Sequence, residues 1–184
     1  MKEGFFMGHI LFLSNISGKF HIMKNEISSL AEKGALSTDT RALFIDSNTS
    51  WEKKWDILLR DTNLLVVRWM GTGLDTTFLK RLKEKADLLE IPYFFDAGSQ
   101  DTLYIHQLDS STSASIMKYS QYGGRRNYQN LLLYMDGLLS GNTEKAEKPE
   151  PLPWCGIYYP DDHSPYLTLK DYKKGHIHPG RPTI

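Results

Sequence analysis

The sequence predicts an α/β fold, a flavodoxin- or Rossmann-like parallel sheet with flanking helices. Three observations carry that reading. Four short, unbroken apolar runs are spread evenly through the first half: Ile10 to Leu13, Ala42 to Ile45, Leu64 to Val67 and Tyr93 to Phe95. Unbroken runs of about four, rather than strict alternation, mark strands buried on both faces. Segments of helical period lie between them, so strand and helix alternate, which is the pattern of crossovers over a parallel sheet.

Each element follows from its own residues. The first helix has Phe20, Met23, Ile27 and Leu30 on one stripe. The second spans Trp51 to Leu59 and is short. The third carries Phe78 or Leu79, then Leu82, Ala86 and Leu89. After Phe95 the pattern changes. Asp109 precedes a Ser-Ser-Thr run that offers N-cap chemistry, and a helix is expected from about Ser111 to Tyr122. Gly123-Gly124 interrupts it, and a second helix runs to about Leu139 with Tyr128, Leu131, Leu132, Met135 and Leu138 on its buried side. The expected organisation is an α/β domain with this helical pair over residues 1–141, a polar, proline-containing linker at 142–151, and an irregular, aromatic-rich tail over 152–184 that begins a further region.

Composition narrows the partners. Lysine plus arginine number 22 and aspartate plus glutamate number 22, so formal net charge is zero and no global field recruits nucleic acid or a membrane surface. Arg125-Arg126 and Lys170 to Lys174 are local basic spots only. A single cysteine, Cys155, rules out an intramolecular disulfide and suits a reducing compartment. No run of about 18 apolar residues is present to span a bilayer. The expected location is the cytoplasm.

Several constellations invite chemistry and have a plainer explanation. Ser14 to Lys19 sits where the first strand turns into the first helix, the usual phosphate position of such folds. It fails the P-loop pattern, with Leu13 where glycine is needed and Phe20 after the lysine, and it fails the three-glycine dinucleotide pattern. A tight strand-to-helix turn accounts for it. Gly71 and Gly73 follow the third strand in the same relative place. Ser14, Asp46, Arg68, Gly71 and Asp96 should therefore line a crevice at the carboxyl edge of the sheet, where open α/β sheets hold ligands, although an aspartate there also caps turns. Of the six histidines only His176 and His178 are close, with His163 and Cys155 upstream, which falls short of a zinc pattern. Cys155, between Trp154 and Gly156, has the surroundings of an inert thiol, and Asp161-Asp162 reads as a solvated turn. No catalytic residue and no metal ligand is assigned.

Two stretches are more specific. Tyr119, Tyr122, Gly123, Gly124 and Asn127, followed by Leu131 to Tyr134, resemble a helix, Gly-Gly corner and Leu-rich helix of the cobaltochelatase CobN and magnesium-chelatase H-subunit family. Leu152, Pro153, Gly156, Tyr158 and Pro160 resemble the family's Pro-x-x-Gly-x-Tyr-x-Pro stretch, and His178 to Ile184 resembles the approach to its next strand. Val66 to Arg68 and Gly71-x-Gly73 agree with the family's α/β portion. The resemblance implies the N-terminal piece of a large subunit that binds a tetrapyrrole. Separate AAA+ ATPase subunits would hydrolyse ATP to drive metal insertion. It implies cobalt entering a corrin precursor rather than magnesium entering protoporphyrin, because the linker and the Gly-x-Tyr-x-Pro stretch are closer to CobN. It also implies that the metal- and ring-holding residues lie beyond Ile184, so this fragment needs no cofactor of its own. A magnesium-chelatase H-type subunit and a stand-alone flavodoxin-like binding module are the alternatives. Physically, Gly123, Gly124, Asn127, Gly156, Tyr158 and Pro160 read as corner, cap and packing residues.

Overall fold

The computed structural model describes residues 8–70, 76–96, 105–106, 108–151, 157, 166 and 168–176. Its sheet is built from β1 (His9–Ser14), β2 (Asp39–Phe44), β3 (Leu64–Arg68), β4 (Tyr93–Asp96) and β5 (Ile105–His106). The strand order is β2-β1-β3-β4-β5, with the first four parallel and β5 antiparallel to β4. This is the flavodoxin-like order, which decides between the two topologies that the sequence leaves open. β5 departs from the all-parallel expectation, because two residues are too short to leave a pattern.

Helices α1 (Ser17–Glu32), α4 (Ser110–Tyr122) and α5 (Gly124–Ser140) cover one face, and α2 (Lys53–Arg60) and α3 (Thr76–Leu88) the other. Strand alternation feeds both layers. Ile10, Phe12, Leu64, Val66 and Phe94 pack with Met23, Leu30, Ile116, Leu131, Leu132 and Met135. Leu11, Leu13, Leu65, Val67, Tyr93 and Phe95 pack with Trp55, Leu59, Phe78, Leu82 and Ala86. Burial on both sides is why these runs are continuously apolar. β2 is the exception. As an edge strand it keeps only Thr40 fully buried, and Phe44 is 45% exposed. Leu89 also lies outside the stripe expected of it, since α3 ends at Leu88 and Glu90 turns the chain with φ +55°.

Two buried carboxylates pin the helical layer. Glu26 of α1 accepts from Arg125 Nε at 2.6 Å and from the Gln129 side chain. Asp136 of α5 accepts from the Ser37 and Thr38 amides at 2.7 and 2.8 Å and from the Thr38 hydroxyl. α4 opens as its sequence demands, with Asp109 accepting from the Ser111 and Thr112 amides. A further helix, α6 (Leu169–His176), stands in the tail. No helix among the described residues is long and apolar enough to cross a membrane.

Candidate functional site

The carboxyl edge of the sheet brings together part of the expected crevice. Register places Phe44, Ser14, Arg68 and Asp96 side by side across β2, β1, β3 and β4. Arg68 Nη2 meets Asp96 Oδ2 at 2.9 Å with both side chains buried, and Nη1 donates to the Ser120 carbonyl of α4 at 2.8 Å. Lys19, in the first turn of α1, is half-buried beside them. Burial, then the Arg68 charge, lowers its amine from the usual lysine value, and Asp96 opposes that shift. Ser14 turns inward, its Oγ accepting from the Ile16 amide at 3.1 Å. Asp46 does not join the cluster. Its Oδ1 accepts from the Asn48 amide and the Thr49 hydroxyl, as a turn cap should.

Sequence reasoning missed Asn15. Its carboxamide closes a two-bond bracket on Met70, donating to the carbonyl at 2.7 Å and accepting from the amide at 2.9 Å. That bracket ties the β1–α1 turn to the end of β3 at the switch point of the strand order. A Cβ on Gly18 would meet open space, so no neighbouring protein atom demands a glycine there. Gly71 and Gly73 lie outside the described residues.

The corner between α4 and α5 is the second candidate. Gly123 has φ +64° and ψ −163°, and Gly124 has φ +76°. The first pair of angles is accessible essentially to glycine alone. Asn127, buried one turn into α5, does two things with one carboxamide. Its Nδ2 donates to the Gly123 carbonyl at 2.7 Å, which holds the corner. The same Nδ2 donates to the Glu150 carbonyl at 2.7 Å, while Oδ1 accepts from the Glu150 amide at 3.0 Å. Asn130, three residues on, repeats the device. Its Oδ1 accepts from the Glu147 amide at 2.9 Å, and the Tyr119 hydroxyl donates to the Glu147 carbonyl. Burial, aided by Tyr134 and the Glu147 carboxylate, pushes the Tyr119 phenol up to about 12.

Residues 142–151, expected as a linker, are mostly exposed yet do not leave the body. Gly141 turns the chain with φ +76°, and a 3₁₀ turn at Thr143–Lys145 follows. The segment then runs back along α5. The missed signal was the i, i+3 pair of asparagines on α5, residues that a helix interior ordinarily disfavours. Of the tail, Ile157 and Tyr166 form an antiparallel bridge, and the Tyr166 and Tyr172 rings stand 5.8 Å apart. Gly156, Tyr158 and Pro160 lie outside the described residues, as do Cys155, His163 and His178. Among the described residues no three His, Cys, Asp or Glu side chains gather as a metal site would require.

Comparison with known proteins gives a family match that spans this corner. The model of the CobN/Magnesium Chelatase family matches residues 117–184, from the middle of α4 through the corner, α5 and the tail. An uncharacterised protein of Methanocaldococcus jannaschii is 38% identical over 65 residues, covering 35% of this chain and 5% of that protein. Among solved structures, the catalytic subunit of cobaltochelatase from Mycobacterium tuberculosis superimposes with a TM-score of 0.55 at 15% identity. That superposition covers 83% of this chain and 12% of the subunit, and it shows a shared fold. Val66 to Arg68 lies outside the span of the family model. The similarity to the CobN/Magnesium Chelatase family is thus carried by residues 117–184, and the α/β layer before them shares its fold with the cobaltochelatase subunit.

Proposed function

We propose that this chain is the N-terminal domain of the large, tetrapyrrole-binding subunit of an ATP-dependent cobaltochelatase, which inserts cobalt into a corrin precursor during cobalamin biosynthesis. The observation that carries the reading is the coincidence of sequence and structure at the Gly123-Gly124 corner. The family pattern falls where Gly123, Gly124 and Asn127 build the corner and hold the chain beyond α5. The fold shared with the cobaltochelatase catalytic subunit supports it. In this reading the domain is a non-catalytic scaffold working in the cytoplasm. Cobalt is a substrate, ATP is hydrolysed by AAA+ partner subunits, and the ring is held by the remainder of the large subunit. In this reading the Arg68–Asp96 pair serves the fold, with the guanidinium joining the Asp96 carboxylate to the Ser120 carbonyl of α4.

The test is direct. Purified 184-residue chain, supplied with cobalt, ATP and a corrin precursor, is expected to hydrolyse no ATP and insert no metal. ATP-dependent insertion by the chain alone would refute the scaffold role. Two alternatives give other readouts. A magnesium H-type subunit would act on protoporphyrin instead. A free-standing flavodoxin-like module would show a thermal shift with a flavin or nucleotide.

A further inference from the structure

We propose that residues 141–151 form a closed strap, latched to α5 by its backbone, so that the chain is held against the α/β layer as far as residue 151. The strap runs antiparallel to α5 and meets it in register. The Asn142 amide donates to the Gly137 carbonyl at 2.9 Å, Glu147 is held by Asn130 and Tyr119, and Glu150 is held by Asn127. Gly137 is required at the first contact, because a Cβ there would collide with the Asn142 and Thr143 backbone. Both asparagines are buried, at 4% and 7% exposure. Their carboxamides are satisfied largely by the strap, and a polar group in such a place is costly to leave unmade.

The latch reads the main chain. The Glu147 and Glu150 side chains are 61% and 68% exposed; their ion pairs with Arg126 lie at the surface and contribute little, and Glu147 Oε2 also accepts from Asn130 Nδ2 at 3.3 Å. Asn127 instead takes both the amide and the carbonyl of Glu150, as a neighbouring β-strand would. The face made by Tyr119, Asn127 and Asn130 is therefore a recognition surface for an extended backbone, and its occupant is the chain's own strap. A free polar linker of this length would be a coil with no fixed exit direction.

Hydrogen exchange at the Glu147 and Glu150 amides, followed by NMR in the 184-residue chain, tests this. Both amides are expected to exchange at least roughly a hundredfold slower than a free chain, given several hydrogen bonds acting together. Asn127→Ala should abolish protection at Glu150. Glu150→Ala should keep it, since only the main chain is read. Gly137→Ala attacks the strap from its far end, and it should lower protection at both glutamates at least about tenfold although it touches neither. Protected β1 and β3 amides report that each variant is folded. Should Asn127→Ala fail to fold, the Gly137→Ala and Glu150→Ala results decide the matter. Unprotected Glu147 and Glu150 amides in the parent chain would overturn the proposal. So would loss of protection in Glu150→Ala, or a Gly137→Ala effect confined to Asn142.

Discussion

Replacing Asp96 by alanine tests whether the carboxyl edge of the sheet is a structural pair. The salt bridge is 2.9 Å long and its two side chains are 6% and 7% exposed. Removing the carboxylate leaves the Arg68 guanidinium buried, beside the half-buried Lys19 whose amine its charge already disfavours. Breaking such a pair from one side costs about 3–5 kcal/mol, since the surviving charge keeps its desolvation penalty. For a chain of this size each kcal/mol moves Tm by about 2–4 °C, so a fall of roughly 6–20 °C follows. Replacing both partners, as Arg68→Met with Asp96→Leu, removes the orphaned charge and should recover most of the loss, because buried pairs and apolar isosteres are often nearly equivalent. Urea denaturation followed by tryptophan fluorescence measures both. A loss below about 1 kcal/mol for Asp96→Ala, or a double variant as unstable as the single one, would refute the reasoning.

Three further outcomes follow. Asp136→Ala removes a buried acceptor from two amides and a hydroxyl, and equilibrium denaturation should show a loss of about 3 kcal/mol or more. The raised Tyr119 phenol stabilises the fold up to the ordinary tyrosine value, and that contribution is lost as pH rises toward about 12. Burial raises the Tyr93 and Tyr128 phenols as well, so alkaline difference absorbance should show a late-ionising group of tyrosines, and Tyr119→Phe should reduce that late step. Hydrogen bonds from Thr112, then Ser111, hold the Asp109 carboxyl well below the usual carboxylate range. Its contribution is present above the unfolded value and lost as pH falls through the acid range. Helix α4 amides should thus lose protection on acidification in the parent chain, and already at neutral pH in Asp109→Ala.

The fold was legible where burial shapes composition. Ile10 to Leu13, Leu64 to Val67 and Tyr93 to Phe95 are apolar throughout because helices cover both faces of the central strands. Ala42 to Ile45 looks the same in sequence, yet β2 lies at the edge, and nothing local distinguishes an edge strand whose outer row is half exposed. The Asp109 cap and the Gly-Gly corner were legible because each solves a backbone problem with a residue type suited to it. The strap was not. Gly141 to Pro151 has the composition of a linker, and its retention depends on Asn127, Asn130 and Gly137, whose partners lie 5 to 23 residues away. At the strand ends, Asp46 and Asp96 were indistinguishable by sequence. Only the fold sends one to a turn and the other to Arg68.

The central proposal is that this chain serves as a scaffold domain of a cobaltochelatase large subunit. It is tested most directly by expressing the complete reading frame that carries the chain, combining it with AAA+ chelatase subunits, ATP, cobalt and a corrin precursor, and following the absorbance of the cobalt product. The account predicts ATP-dependent cobalt insertion by that assembly and none by residues 1–184 alone. Insertion by the short chain, or a reading frame that assembles with the ATPases and inserts no metal, would contradict it.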